Sequence, residues 1–561
     1  MKKWLLAGAS LVVLGFASGA YAADIPVKAP VFKAAPAAPV WNWTGLYIGA
    51  HVGGGLGISN FSDPIGPSIF GDNVRTPAFL GGGQIGYNWQ AANSPWVYGV
   101  EADVSGLISE GTNTCFAFSG FYISANCHVR PDVTSSLTGR VGYATGWQGH
   151  TLLYGKGGAA WIHDNIDIAV NAVLPAQTTS ATYSKLGWTI GGGVEQALTP
   201  AWSMSLEYDY FNFGNGGVTA PTSFFQAVFP NGYVATPPFA ANVNQNFQEV
   251  KLGLNYRFGA DPGASWDASS KAAYPVKAPP MVASGWEVEG GGRYWYSSGR
   301  FQKDLGAGPG VTNVLNSRLT YTSTGNSGEF FARIDSPYRV FVKGFIGGGS
   351  LNNGTMNDED WLLFANSVPY SNTVSSVSGN MTYGTIDLGF NGLQGQYYKA
   401  GPFVGYNSYT ENKSAYGCTQ ISNPNSDCVP AIPTSTLAIT ENDQWRSLRV
   451  GVNGEVMLTQ SLKLSGDVAY LPYVKFTGTD DHVLRALVSP ESGTGQGVQL
   501  EGIISYYVTP AFSIGAGGRY WAMWSDNSYT NFGGAPCPCQ ALPVKTERYG
   551  TFLQAAYKFG G

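Results

Sequence analysis

Polar and apolar residues alternate along many short segments of this chain, and this alternation restricts its fold more than any other sequence feature. In "WSMSLEYDYFNFG" (202–214), Glu207 and Asp209 fall on one side of an extended strand. Leu206 and Tyr208 fall on the other side. Such segments predict β-strands that have one polar face and one apolar face.

The composition indicates that these strands lie in a membrane. Charged residues make up 12% of the chain, against about 25% in soluble proteins. No stretch after residue 22 contains the ~18 consecutive apolar residues of a membrane helix. The other structure that spans a bilayer is a closed β-barrel, whose aromatic girdles fit the 14% aromatic content. A net charge of −5 without basic clusters argues against nucleic-acid binding.

The charged residues of these segments are expected inside a barrel. The segment "WVYGVEADVSGL" (96–107) alternates in the same way as 202–214, so its acids share one face. Charges that point into a narrow lumen need partners of opposite sign. We therefore predict a lumen filled by a mutually paired network of Glu101, Asp103, Arg140, Lys156, Glu195, Glu207 and Asp209.

The N-terminal residues are typical of an exported chain. Two lysines precede an apolar run that is too short to span a bilayer, and Ala20-Tyr21-Ala22 has the form of a signal peptidase site. We expect residues 1–22 to be removed as a signal peptide. The sequence "PVKAP" follows at 26–30 and recurs at 275–279, which predicts that a second unit begins in the middle of the chain.

The patterns divide the mature chain into two barrels. The expected fold is all-β, with two tandem transmembrane antiparallel β-barrels of about eight and about ten strands. The predicted units are the signal peptide 1–22, a Pro/Ala-rich periplasmic leader 23–40, the first barrel 41–258, a linker 259–284 and the second barrel 285–561. The predicted strands start near residues 43, 79, 96, 132, 151, 185, 202 and 244, and near residues 286, 317, 338, 376, 397, 439, 460, 495, 512 and 547.

The first half resembles a known family. "WNWTGLYIGAHVGGGLG" (41–57) and the closing segment "NQNFQEVKLGLNYRF" (244–258) resemble the small outer-membrane surface proteins of alphaproteobacteria, which are eight-stranded barrels. The resemblance implies an integral protein in the outer membrane of a Gram-negative bacterium. It also implies contact with outer-membrane lipid and lipopolysaccharide, and recognition of the closing strand by the barrel assembly machinery.

Two acidic clusters distinguish the second half. "NDEDW" (357–361) contains Asp358 and Asp360, and "GTDDHVLR" (478–485) contains Asp480 and His482. Counting strands from a periplasmic N-terminus places the clusters after the third and the seventh strand of this barrel. Both clusters are then expected at the outer rim.

The second half resembles the omptins, a family of ten-stranded outer-membrane proteases. The two clusters match their Asp-x-Asp-Trp and Asp-x-His motifs, so the resemblance implies that Asp358 and Asp360 are paired carboxylates and that Asp480 and His482 form a catalytic dyad. It also implies a peptide or protein substrate outside the cell and a need for lipopolysaccharide. Omptins that cut beside basic residues carry an acid two positions before the dyad aspartate, where this chain has Gly478.

These residue types suit hydrolysis by water. An aspartate that orients a histidine raises its basicity, so the ring can take a proton from water, and a carboxylate pair can bind that water. The chain has no G-x-S-x-G motif, and we expect neither a cofactor nor a metal site. The opposing interpretation is that both clusters are solvated loop residues.

Six cysteines occur as three close pairs in segments that we expect to be loops. An exported chain favours local disulfides for the first two pairs, whereas a free thiol pair or a weak metal contact is the alternative for the third. The pairs are Cys115 with Cys127, Cys418 with Cys428, and Cys537 with Cys539.

Three functions remain open from the sequence. The first is a structural or adhesive barrel fused to an omptin-like aspartate-histidine endopeptidase. The second is a purely structural or adhesive outer-membrane protein without catalysis. The third is a single large porin-type barrel that acts as a diffusion channel.

Overall fold

The structure is a computed structural model, and its described residues begin at the first barrel. They are 41–62, 73–116, 125–146, 149–171, 177–221, 223–226, 233–236, 238–259, 281, 285–361, 371–421, 427–531, 533 and 539–560. The predicted signal peptide and leader lie outside these residues, as does the predicted linker apart from Gly259 and Met281. Within the described ranges, no helix is long and apolar enough to cross a membrane.

The first barrel is a closed ring of eight antiparallel strands within the described chain. Its strands are β1 (Gly45–Ser62), β2 (Asn73–Gln90), β3 (Trp96–Ser109), β4 (Gly111–Cys115), β5 (Ala125–Thr145), β6 (Thr151–Val170), β7 (Thr178–Ala197), β8 (Trp202–Ala220), β9 (Ser223–Gln226), β10 (Tyr233–Thr236) and β11 (Phe239–Arg257). β3 and β4 both pair with β5 and act as one strand. β11 pairs with β1 and closes the ring, while β9 and β10 form a separate hairpin.

The lumen of the first barrel contains the predicted charge network. Lys156 Nζ lies 2.7 Å from Glu207 Oε1 and 3.2 Å from Glu101 Oε1. Lys251, which the sequence analysis did not single out, adds a second buried ammonium group 3.0 Å from Glu207 Oε1. The prediction of a paired lumen is confirmed, since the other predicted members also form ion pairs there: Arg140 with Glu195, and Lys156 with Asp103 and Asp209.

In the part of the chain that the structure describes, the second barrel is a closed ring of ten antiparallel strands. Its strands are β12 (Glu287–Gly308), β13 (Val311–Asp335), β14 (Val340–Asp360), β15 (Ser371–Phe390), β16 (Leu393–Gly395), β17 (Tyr398–Gln420), β18 (Ile432–Met457), β19 (Leu462–His482), β20 (Leu487–Tyr507), β21 (Phe512–Thr530), β22 (Gln540–Ala541) and β23 (Val544–Phe559). β12 pairs with β23 to close this ring, and β16 and β22 are short additions to it. A 3-10 helix, Val483–Arg485, follows β19.

The alternative of one porin-sized barrel is wrong. In such a barrel β11 would pair with β12, but β11 pairs back with β1. Aromatic side chains also pack the middle of the second lumen, where Trp445 and Phe476 have ring centroids 4.7 Å apart. The second barrel is therefore filled by side chains, as the first is.

The outer surface of the second barrel has an apolar band near the end that carries Glu287 and Phe559. Tyr296, Ile346 and Tyr473 are exposed on this band. Because such an outward apolar face is the lipid-contacting part of a membrane barrel, the strands continue beyond the bilayer at the other end. We call that other end the outer rim.

Some strands extend beyond the bilayer and include cysteines that were predicted to lie in loops. Cys115, Cys127 and Cys418 lie in strands β4, β5 and β17, so the expectation that every cysteine lies in a loop is wrong. The reason is that strands above the bilayer need no apolar face and therefore lack the alternation that marks membrane strands.

The predicted local disulfides are confirmed. Cys115 bonds to Cys127, and Cys418 bonds to Cys428. Cys539 is also disulfide-bonded, so the free-thiol alternative is wrong for this residue. Cys537 lies outside the described residues.

Candidate active site at the outer rim of the second barrel

The carboxylate pair lies at the very end of β14. Asp358 and Asp360 are two positions apart on the strand, so both point to the same face, and the side chain of Glu359 between them points to the opposite face. The backbone register aligns Asp360 with Ser317 of β13. The pair was expected after the third strand, whereas it forms the last residues of that strand.

The predicted dyad lies at the end of β19. His482 Nε2 lies 3.1 Å from Asp480 Oδ2, which is a hydrogen-bonding distance. The strand ends at His482, the 3-10 helix follows, and Ala486 closes the turn in the left-handed conformation with φ of 51°. Asp480 is buried and His482 is half-buried, so the aspartate lies beneath the ring and the ring reaches the rim.

A buried lysine connects the dyad to two further acids. Lys303 Nζ lies 3.1 Å from Asp480 Oδ2, 2.5 Å from Glu441 Oε2 and 3.0 Å from Glu491 Oε1. All four side chains are buried. We call Lys303, Glu441, Asp480 and Glu491 the lysine cluster, and it fixes the base of the dyad.

One cavity brings the two predicted motifs together. Its volume is about 240 Å³, and Asp358, Asp360 and His482 all line it. Arg485 and Asp427 also line it and form an exposed ion pair of 3.0 Å between the loops on either side. The remaining wall is apolar or hydroxylic and includes the Cys418–Cys428 disulfide, with Met356, Ser371, Thr373, Ser375, Ile432, Ala438, Ile439 and Leu484.

The pKa values of the carboxylate pair and of Asp480 are shifted in opposite directions. Burial raises the pKa of Asp358 well above its ordinary value, and the nearby carboxylates of Asp360 and Asp480 raise it further. Burial also raises the pKa of Asp360. Burial alone would raise the pKa of Asp480, but Lys303 and His482 hold it below its ordinary value. The pair therefore retains a proton under conditions in which Asp480 is ionised.

The sequence analysis missed the lysine cluster. Lys303 belongs to β12, far along the chain from Asp480, and only barrel closure brings them together. Its sequence signal is weak, because Lys303 is one of two cations in the alternating segment "SSGRFQKDLG" (297–306). The lysine cluster also explains why position 478 is a glycine. A Cβ at this position would lie 2.9 Å from Glu491 Oε2. Glu491 thus occupies the space that an acid at position 478 would need.

Comparison with known proteins identifies the first barrel. The family described as "Outer membrane protein beta-barrel domain" matches residues 29–258. A 22 kDa outer membrane protein of Rhizobium leguminosarum bv. viciae is 33% identical over 231 residues, which cover 40% of this chain and 82% of that protein. The chain belongs to the outer-membrane β-barrel protein family. A 31 kDa outer-membrane immunogenic protein of Brucella melitensis is 29% identical to this outer-membrane protein over 265 residues, 46% of this chain and all of the relative.

The second barrel of this outer-membrane protein matches a different family. The Omptin family matches residues 341–531, a range that contains Asp358, Asp360, Asp480 and His482. The solved structure of the outer membrane protease OmpT from Escherichia coli covers 49% of this chain and 97% of its own chain, with 14% identity and a TM-score of 0.40. The protein is thus an integral outer-membrane β-barrel fused to an omptin-family barrel.

Proposed function

We propose that the second barrel is an aspartate-histidine endopeptidase that cuts peptides or proteins outside the cell. The observation that carries this proposal is the single cavity lined by Asp358, Asp360 and His482, with His482 hydrogen-bonded to Asp480. The omptin-family match over the same strands supports it. The first barrel serves as a membrane-embedded structural unit.

The geometry supports direct attack by water. Asp480 accepts a hydrogen bond from His482 Nε2, so Nδ1 is the ring nitrogen that takes the proton from water. Asp358 and Asp360 share a proton because of their raised pKa values, and that proton can be donated to the oxygen on which charge develops. No covalent intermediate with the protein is formed.

The charges around the cavity point to a substrate that need not be basic. Glu441 and Glu491 share the ammonium group of Lys303, and Asp427 is paired with Arg485, so none of these acids is free to hold a substrate cation. We propose that the enzyme has no strong preference for Lys or Arg beside the cleaved bond. We also propose that lipopolysaccharide surrounds the rim. The barrel assembly machinery is proposed to recognise the closing strands.

The proposal is tested by cleavage of a quenched peptide panel. Protein refolded with lipopolysaccharide is expected to cut internal peptide bonds, and a serine-directed sulfonyl fluoride is expected to have no effect, because no acyl-enzyme forms. The same protein unfolded by boiling is the control. If folded protein cuts no peptide in a panel that covers all residue types at the cleaved bond, the cavity is structural and the barrel is a scaffold.

The carboxylate pair predicts a shift in the pH dependence of cleavage. Activity is expected to fall as the pH rises through the raised pKa of the pair, because the proton that the two carboxylates share is then lost. In Asp360→Asn the like charge beside Asp358 is removed, so the pKa of Asp358 falls and the alkaline limb of kcat moves to lower pH. Asp481→Asn is the matched control, since Asp481 points to the other face of β19. An alkaline limb that does not move contradicts the assignment of the pair.

A further inference from the structure

The outer rims of the two barrels contact each other through a buried polar cluster. Arg318 of β13 makes two hydrogen bonds to Asp304, with distances of 2.7 and 2.8 Å, on the outward face of its own barrel. Two of its nitrogen atoms reach the first barrel: Nη1 lies 2.8 Å from Thr114 Oγ1, and Nη2, which also donates to Asp304, lies 2.7 Å from Asn126 Oδ1. Thr114 Oγ1 in turn donates to Glu359 Oε2 at 2.8 Å. All five side chains are buried.

A second ion pair joins the barrels beside this cluster. Arg75 of β2 donates to Glu547 of β23 through Nε and Nη2, with distances of 3.2 and 2.9 Å to Oε2. Glu547 points outward from its barrel, like Tyr549 on the same strand, so this contact belongs to the barrel surfaces. We call Arg75, Thr114, Arg318, Glu359 and Glu547, with Asp304 and Asn126, the rim clamp.

Below the rim clamp the barrels meet through apolar groups. The rings of Phe79 and Tyr470 stack with centroids 4.9 Å apart. Gly54 of β1 faces β20 so closely that a Cβ would lie 2.9 Å from both Leu500 Cδ1 and Val498 Cγ2. Small residues allow this close approach in a bilayer. Residues Val40–Gly561, which include both barrels, accordingly fall into one unit.

The rim clamp has the character of a permanent interface. An apolar contact in a bilayer is weakly selective, because lipid tails are as apolar as the side chains. Buried charges are different, since separation would leave Arg318 and Glu359 without the Thr114 hydroxyl that joins them. We propose that the first barrel is a docked partner of the second, held by the rim clamp in addition to the linker.

The rim clamp also reaches the candidate active site. Glu359 lies between Asp358 and Asp360, so its hydrogen bond to Thr114 fixes the strand end that carries the pair. Thr114 is next to Cys115, whose disulfide to Cys127 closes the hairpin of β4 and β5. The first barrel is therefore a brace for the carboxylate pair, a consequence that rests on the proposed function.

Docking is tested by cutting the linker of the full-length protein. A protease recognition sequence is inserted between residues 262 and 272, an affinity tag is placed on the second barrel, and the cut protein is diluted in detergent and captured. We expect the first barrel to stay bound. In Arg318→Ala the equilibrium constant for separation should rise by about 30-fold or more, as when one partner of a buried charged contact is removed. Arg130→Ala is the control, because its exposed pair with Asp167 lies within the first barrel.

A charge exchange separates loss of the interface from loss of folding. Arg75→Glu places two carboxylates in contact and should release the first barrel, while the added change Glu547→Arg should recover part of the retention. Recovery is partial because Arg300 also faces Glu547. The faster migration of unheated barrels in SDS gels verifies folding of each variant. Separation of the cut wild-type halves, or equal retention by Arg75→Glu, overturns the proposal.

The effect of the first barrel on the carboxylate pair is measured separately, by peptide cleavage. In the uncut protein, Thr114→Val should lower kcat for peptide cleavage by about threefold to 100-fold with little change in KM, because the carboxylates shift while substrate contacts remain. Thr114→Ser keeps the hydroxyl and should restore kcat. An unchanged kcat in Thr114→Val overturns the brace. If the wild type cuts no peptide, the proposed function fails while the separation experiment still decides docking.

Discussion

Replacing His482 by alanine is expected to lower kcat for peptide cleavage by about 10²- to 10⁴-fold. The physical reason is that the ring is the proton acceptor for water, and Asp480 beneath it cannot replace it because its pKa is held below the ordinary value. KM should change little, since the imidazole acts on water and makes few contacts with the substrate. Steady-state kinetics on the best peptide of the panel measures both parameters.

The chain offers a matched control for this experiment. His163 is also paired with an aspartate, with 2.6 Å between Nδ1 and Asp132 Oδ1, but it belongs to the first barrel. His163→Ala should therefore cleave peptides at the wild-type rate. If His482→Ala keeps more than about a tenth of the wild-type kcat, the histidine is not the general base.

Replacing Lys303 by methionine is expected to destabilise the second barrel by about 3–5 kcal/mol at neutral and higher pH. Methionine fills a similar volume, but it leaves Glu441, Asp480 and Glu491 buried without their shared cation. The midpoint of urea unfolding in detergent, followed by the loss of the fast-migrating band, measures the change. Lys475→Met is the control, because Lys475 donates a hydrogen bond of 2.7 Å to the neutral hydroxyl group of Ser492.

The destabilisation should depend on pH in a defined direction. Without Lys303 the buried carboxylates have pKa values above those of the unfolded chain, so the folded state binds more protons. Their contribution to stability is then complete below the unfolded values of about 4 and is lost as the pH rises through the folded values. In the wild type, burial already raises the pKa of Glu491 to about 7. If Lys303→Met lowers the free energy of unfolding equally at pH 4 and pH 9, the proposed role of Lys303 in the lysine cluster is wrong.

Alternation predicted the membrane-spanning parts of the strands well. The outward-running strands β3, β6, β8 and β21 begin at the predicted residues 96, 151, 202 and 512. Inward-running strands begin earlier than predicted, as with β13 at Val311 and β20 at Leu487. Lipid forces one face of a strand to be apolar, whereas a strand above the bilayer has water on its outer side and carries no such pattern.

The candidate site was predictable only in part. Asp358, Asp360, Asp480 and His482 were found from two short motifs, and one cavity joins three of them with Asp480 hydrogen-bonded beneath. Lys303 had no motif, because a buried lysine is recognisable only from the acids that surround it.

The sequence by itself determined that the chain forms two barrels, since period-two alternation and two closing segments depend only on which residues face lipid. It also placed the two acidic motifs on the same rim, because strand count fixes the end at which a loop lies. The tertiary structure decided how Lys303 meets Asp480 and how Arg318 meets Thr114. Both contacts depend on ring closure and on the register between distant strands, and the residues of one segment carry no information about which side chain a distant strand will bring beside them.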